Sequence, residues 1–416
     1  MFYLLFLLYL LAAAYFISSL DFVKKTGLGT KLILLLFLVK IAAGLLIGWI
    51  SNRYDPLNDY AMLNGYGREE YQLMITHPKE FLINIFYSPY NGEHSGFFYS
   101  TASYWNDLKN NIIIKALAIC NIFSRGNYYI NSIFFNSLGF LGHVALFRLF
   151  RHVYPDKRTA LMIGSFLLPS TLYFSSAIHK DAVVFTMLGF FCYSFYFTVL
   201  KGFGMKRTAV LVTSFLLLLL IRNYVALLLL PCCAGFLLTQ RFGIRPVIAY
   251  GSMVIAGILV LFFAGLAVPA FNPFNILVQK QADFMNLGAA QTDFPMQQLT
   301  PSASSFIHSL PTAANHAFLR PYPWEFPGKL LSLLSWEWWT YLLLFAIYFV
   351  INLKKRDAVH PFTPLCLLFI LAVFLLIGFI TPNAGSLVRY RGLYYPLLMI
   401  PVLASLAFPN INKNNI

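Results

Sequence analysis

Residues 208–239 read TAVLVTSFLLLLLIRNYVALLLLPCCAGFLLT, an apolar run broken by charge only at Arg222, with Asn223 beside it. Read as two helices, 208–221 and 224–239, the run supplies halves of 14 and 16 residues, each short for about 30 Å of hydrocarbon. The choice between one helix and two sets the parity of every later span, because one crossing more or less exchanges the sides of all loops downstream. If both halves cross, 16 cations collect on one side of the membrane. They are Lys24, Lys25 and Lys31; Arg148, Arg151, Lys157 and Arg158; Lys201, Lys206 and Arg207; Arg241 and Arg245; Lys354, Lys355 and Arg356; and Lys413. Only Asp21, Asp156 and Asp357 oppose them there, so the positive-inside rule makes this the cytoplasmic side. Merging the halves would carry Lys354 to Arg356 outside, against the same rule.

Outward from this stretch the chain repeats the pattern. Candidate helices run over 2–20, 32–50, 128–148, 159–177, 182–200, 208–221, 224–239, 246–268, 331–352, 361–380 and 393–408. With 59% hydrophobic and 11% charged residues against the usual quarter or so, the 416-residue chain uses lipid as its solvent. A soluble enzyme is excluded. The net charge of +15 follows the topology and does not call for nucleic acid. The first twenty residues lack a basic start and a small-residue cleavage site and read as a retained span. Four of the five cysteines lie inside apolar runs, which excludes a disulfide framework. The expectation is an all-α integral membrane protein of about eleven transmembrane helices. Its N-terminus lies outside and its C-terminus in the cytoplasm, and 1–416 forms a single polytopic domain. Two long external loops, 51–127 and 269–330, carry short interfacial helices.

Twelve of the fifteen acids lie on the external face or just below it. Acids do little to set topology, so their concentration there carries information about function. In SNRYDPLNDY (51–60), Pro56 opening a helix would put Asp55 at its N-cap and Asp59 on its first turn. A cap and a solvated acid account for the pair structurally; the functional alternative is a general base for a hydroxyl. SPYNGEHSGFF (88–98) carries Glu93 and His94 on a turn-like tip. His77, Glu93 and His94 would form a metal site only if the fold gathered them, and no metal ligation is expected.

SSAIHKDAVVF (175–185) places His179, Lys180 and Asp181 in a short outward turn, with Asp181 read as the cap of the next helix. Lys180 there suits a phosphate contact or a headgroup anchor. FLRPYPWE (318–325) holds Arg320 among prolines beside Glu325, its pairing partner or its rival for an anion. Trp324, Trp336, Trp338 and Trp339 read as an interfacial belt. Arg389 and Arg391, external and directly before the last span, either bind an anion or snorkel. Lys40, at mid-span, costs roughly 2.5 to 3.5 kcal/mol on insertion scales and should face the bundle interior.

The order of these features resembles the polytopic glycosyltransferases of the GT-C fold that use polyprenyl-phosphate-linked sugars. The resemblance rests on Asp55 or Asp59 before Tyr60 in the first large external loop, and on RYRGLYYPLLMIP (389–401) at the last span. It implies a first-loop Asp as base for the acceptor hydroxyl, with Arg389, Arg391, Arg320 and Lys180 on the lipid phosphate, and Glu93 and His94 as further substrate-side candidates. The partners it implies are a polyprenyl-phosphate-linked sugar, membrane lipid and a glycan or lipid acceptor, with no nucleic acid. The chain departs from the family in an extra span before the Asp-bearing loop and in lacking a DxD or ExD pair. Both argue against metal dependence, and a divalent cation is the one cofactor left open. LLPSTLYFSSAIHKD (167–181) and FLRPYPWE also look like stretches of membrane proteins from bacterial polysaccharide clusters, which implies a bacterial inner membrane.

The same residues admit an O-antigen or exopolysaccharide polymerase acting on lipid-linked repeat units, which shares the donor chemistry. From other classes come a flippase for lipid-linked oligosaccharide and a non-catalytic envelope scaffold. The odd span count and the absence of an internal repeat weigh against the flippase.

Overall fold

A computed structural model of the protein describes residues 2–54, 58–87, 96–98, 103–268, 271–287, 292–326, 330–355 and 359–407. Helices follow one another along the chain: α1 (Phe2–Ser19), α2 (Asp21–Lys24), α3 (Thr30–Tyr54), α4 (Asp59–Thr76), α5 (Pro78–Ile83), a 3-10 turn (Asn84–Phe86), α6 (Tyr104–Ser124) and α7 (Tyr128–Val153). Then come α8 (Arg158–Phe166), α9 (Pro169–Phe174), α10 (Lys180–Lys201), α11 (Met205–Ile221), α12 (Asn223–Phe242), α13 (Pro246–Ala267) and α14 (Pro273–Met285). The last are α15 (Ala303–Phe318), α16 (Leu330–Lys355), α17 (Phe362–Ile380), α18 (Ala384–Gly392) and α19 (Tyr395–Leu406). The described residues contain no β-strand, only an isolated bridge between Asp293 and Asn383. In lipid every backbone amide must find its partner inside its own segment, and a helix is what an uninterrupted apolar run can form there.

Eight of these helices are long and apolar enough to cross a membrane: α1, α3, α7, α10, α12, α13, α16 and α17. The protein is a multi-pass, all-α membrane protein. The candidate helix 159–177 is not continuous. Leu168 takes an extended conformation (ψ 119°) before Pro169, because the proline ring excludes the helical region for its predecessor. The second helix of the resulting pair, α9, is tied at its start to α16. Ser170 donates its amide to Glu337 of α16 at 3.0 Å, and Tyr341 donates its hydroxyl to the same carboxylate at 2.6 Å.

The core gathers around α7 and α10, which cross closely at small residues. A Cβ on Gly189 would stand 2.5 Å from the Gly142 carbonyl oxygen, so only glycine permits that approach. Phe140, Phe147, Phe150, Phe185 and Phe236 are sealed within this core. On the outside the pattern inverts relative to a soluble protein. Leu4, Val247 and Leu266 are at least three-quarters exposed on α1 and α13, as lipid-facing surfaces require.

Lys40 is buried in the interior, as its cost in lipid demands. Its Nζ donates to the Ser175 carbonyl and hydroxyl, each at 3.0 Å, and to Ser176 Oγ at 3.2 Å. His143 Nδ1 lies 2.5 Å from the Ser165 carbonyl and therefore carries the proton, which leaves Nε2 to accept from Lys40 at 3.2 Å. The ammonium thus anchors the chain just after the broken pair.

The segment between α3 and α7 is built of helices held by polar staples. Asn131 of α7 donates to Asn64 of α4 at 3.0 Å and to Asn121 of α6 at 2.7 Å, and Asn121 donates to the Gly67 carbonyl at 2.9 Å. Lys115 pairs with Glu70 at 2.6 Å. These buried bonds fix α4, and with it the position of its first residue, Asp59.

Candidate functional site

Helix α4 begins at Asp59, with Asn58 as its cap accepting from the Tyr60 and Ala61 amides at 2.9 and 3.0 Å. Asp59 stands on the first turn, as expected, and the cap of its helix is Asn58, whose side chain reaches both amides; Pro56, the expected opening, lies outside the described residues. Asp55 itself lies outside the described residues, as do Glu93 and His94. Helix α10 begins at Lys180 with His179 in the cap position, so Asp181 is a first-turn residue rather than the cap. Its carboxylate instead serves an ion pair.

The C-terminal candidates are set by α18. Asn383 caps this helix by accepting from the Ser386 amide at 2.7 Å. The strip before it pairs with the second long segment, Phe294 N–H donating to Pro382 O at 3.0 Å and Ala384 N–H to Thr292 O at 2.9 Å. Arg389 thereby meets the ends of α4 and α10.

These elements build a charged cluster. Arg222, in the turn between α11 and α12, donates to buried Asp181. Arg389 Nη1 lies 3.2 Å from Asp59 Oδ2, and its Nε lies 3.6 Å from Asp181 Oδ2. His179 Nδ1 stands 3.0 Å from Asp181 Oδ2, and its Nε2 stands 3.7 Å from Asp59 Oδ2. The Asp181 amide also donates to Nδ1, at 3.3 Å, as the cap of α10, so this nitrogen meets both the backbone and the carboxylate of Asp181 while Nε2 faces Asp59. Burial, together with the neighbouring Arg389 and Lys180, holds His179 below the usual imidazole range despite Asp181. Tyr390 lies between the two guanidiniums, Arg222 at 4.2 Å and Arg389 at 5.2 Å from its ring centroid. Although burial raises a phenol, these two cations keep Tyr390 below its ordinary value.

The cluster forms one wall of a cavity of about 750 Å³. Its lining includes five cations, Lys109, Lys180, Arg222, Lys280 and Arg389, against three acids, Asp59, Asp283 and Asp293. Among the described residues no carboxylate lies within ion-pair distance of Lys109, Lys180 or Lys280. Burial, followed by the charges of Lys180, Lys280 and Arg222, pushes Lys109 down to about 7. Burial and Arg222 likewise lower Lys280, against Asp283. Ammonium groups crowded into one partly desolvated space repel one another, and an anion placed among them would relieve that repulsion. A second cavity of about 490 Å³ adjoins the first, shares Asp59 and Lys180 with it, and is lined by Tyr66, Tyr87, Asn110 and Asn111. Asp59, with 60% of its side chain exposed, stands where the two meet.

Of the described residues expected to act as base or hold the lipid phosphate, the fold brings Asp59, Lys180 and Arg389 to one cavity and leaves Arg320 and Arg391 outside its lining. Arg320 sits over the ring of Phe294, 4.9 Å from its centroid, with Glu325 at 3.5 Å; Phe294 lines the cavity and Arg320 stands behind it. Arg391 is fully buried, donating to the Ala317 carbonyl at 2.9 Å over the Trp338 ring. Trp338 is itself buried and stacked on Tyr395, so it belongs to the core and not to an interfacial belt; Trp324 and Trp336 are exposed. Arg391→Ala is expected to cost about 2–4 kcal/mol of stability, by emptying a filled site and orphaning a carbonyl. Anion affinity of the folded fraction should stay unchanged; thermal unfolding and ligand titration in detergent separate the two.

Sequence reasoning missed Lys109, Lys280 and Tyr390, and used Arg222 only as a boundary between spans. Arg222 had a signal, since a charge in a turn between two apolar halves must be solvated or paired. Lys109 and Lys280 sit on polar helix faces that read as ordinary solvent-facing surface. Among the described residues no three His, Cys, Asp or Glu side chains gather to hold a metal ion. No family model matches the chain, and comparison with curated proteins and with solved structures yields no match.

Proposed function

We propose that this protein is an eleven-span membrane glycosyltransferase that moves a sugar from a polyprenyl-phosphate carrier to an acceptor hydroxyl on the external face of a bacterial inner membrane. The observation that carries the reading is the cavity in which five cations, three of them lysines with no ion-pair partner among the described residues, surround a space beside an exposed carboxylate. In transfer, Asp59 takes the proton of the acceptor hydroxyl as its oxygen bonds the anomeric carbon, and the bond from that carbon to the phosphate oxygen breaks. The leaving lipid phosphate gains one negative charge, which Lys109, Lys180, Arg222, Lys280 and Arg389 stabilise.

Eleven crossings are supported by where the shorter helices end. Leu220 and Ile221, at the end of α11, line the same cavity as Lys180 at the start of α10. Arg207, at the start of α11, lies beside Lys201 at the end of α10. Lys157, between α7 and α8, donates to the Ala407 carbonyl that follows α19. In this reading α8–α9, α11 and α19 each pass from one face to the other, with the N-terminus outside and the C-terminus inside.

The test is turnover of a polyprenyl-phosphate sugar by the purified chain in nanodiscs, with products read by mass spectrometry. A new glycosidic product supports the proposal. The second cavity, roomy and lined by tyrosines, asparagines and Asp107 beside Asp59, favours a glycan acceptor as a further reading, that of a polymerase, and product length distinguishes the two. Binding without product, in vesicles that do move the lipid between leaflets, would assign a transporter instead.

A pH dependence follows from Lys109. A phosphodiester keeps its charge between about pH 6 and about pH 8, while an ammonium poised near 7 loses its proton across that window. Donor affinity is therefore expected to be about tenfold weaker at the alkaline end, and Lys109→Gln should flatten the profile. Equal slopes for parent and variant would remove Lys109 from the donor site.

A further inference from the structure

Helix α10 is 22 residues long, about 30 Å end to end, and a separate concavity sits at the end opposite the site above. Its volume is about 550 Å³, and its cationic lining is Lys25, Arg148, Arg151, Lys201 and Arg207 with His152 beside them. Among the described residues no acid lines it and no carboxylate lies within ion-pair distance of any of these cations. The positive-inside rule accounts for cations scattered on one face, such as Lys24 or Arg158. It gives no reason for six basic side chains from four helical elements to converge on one hollow, where each charge raises the cost of the next.

The guanidiniums are also held in place. Arg148 lies against the rings of Phe22, at 4.5 Å, and Tyr193, at 5.0 Å, and donates Nη1 to the Phe22 carbonyl at 3.3 Å. Arg207 donates Nη1 to the Phe197 carbonyl at 2.6 Å, and Arg151 donates Nη1 to the Thr26 carbonyl. Each of these bonds occupies one N–H and leaves others of the fork free, so the donors are ordered before a ligand arrives. Planar, pre-ordered guanidiniums around an acid-free hollow match tetrahedral phosphate oxygens. Phe203 and Met205, both more than four-fifths exposed, flank this end of α10 and α11 as apolar surface for acyl chains. We infer that this hollow is a second anion site, which binds the phosphate of an anionic phospholipid headgroup at the face opposite the first cavity. The inference stands whether or not the protein transfers sugar.

The full chain is reconstituted in nanodiscs of phosphatidylcholine containing cardiolipin, and lipids that survive a second purification are identified by native mass spectrometry. Cardiolipin should be enriched, and retention should fall about tenfold or more in Lys25→Gln combined with Lys201→Gln, at two surface charges removed. Both lysines are exposed and neither ammonium donates to a described residue, so the folded chain is expected to survive the change. Arg389→Ala, which empties a cation from the other cavity, should leave this retention unchanged. A parallel arm follows thermal unfolding with inorganic pyrophosphate. Stabilisation that the double variant loses, without cardiolipin enrichment, would uphold the phosphate chemistry and assign it to a soluble source. Equal cardiolipin retention in parent and double variant, with no pyrophosphate effect, overturns the inference.

Discussion

Asp59→Asn is expected to lower sugar transfer by a factor of about 10² to 10⁴, the range by which a positioned general base accelerates proton removal. Binding of the lipid phosphate should be unchanged or tighter, because the substitution removes a negative charge from the rim and releases Arg389 from a contact of 3.2 Å. That split between turnover and affinity is what distinguishes a base from a structural partner of Arg389. An exposed ion pair is worth about 0–1 kcal/mol, so folding should barely respond. The measurement is single-turnover product formation beside a titration with a non-transferable lipid phosphate. Loss of both activity and affinity would place Asp59 among the groups that order the site, and unchanged turnover would move the base elsewhere.

Asp181→Asn should have the largest effect on stability, about 3–5 kcal/mol, since it leaves Arg222 and Arg389 without the carboxylate they share. A guanidinium that is 9% exposed cannot recover its hydration, so the cost is that of an uncompensated buried charge. Pairing the change with Arg222→Met should restore much of the loss, because apolar packing replaces both partners of a buried pair at little cost. Unfolding of the single and double variants in detergent gives the coupling directly. Additive losses would mean that Asp181 and Arg222 are stabilised separately by other neighbours. The pair also has a functional consequence, since Arg222 and Lys180 line the cavity from either end of it.

The spans that were readable in the chain were those whose cause is local. Apolar runs at α3, α7, α10, α13, α16 and α17 announce themselves because the solvent is lipid and the backbone must satisfy itself within the run. The break before Pro169 was local too, yet the run 159–177 hid it, because composition masks a single ring that forbids helix at Leu168. Lys40 was legible as an interior residue from cost alone, while its acceptors, Ser175, Ser176 and His143, were not. They come from two other stretches of the chain, and nothing in their own spacing points to an ammonium.

The chain by itself therefore determined its solvent, its helical class and which residues were too costly to leave without a purpose. These are properties of single residues and short windows, summed against the fixed thickness of a bilayer. Only the tertiary structure decided that Asp59 and Arg389, 330 residues apart, face each other, that Arg391 two positions on is sealed against Trp338, and that Lys109, Lys180 and Lys280 share one cavity. The reason is that a charge at the membrane surface is equally content with water, headgroup or ligand when considered alone. Its partner is chosen by which helix ends the packed core brings together.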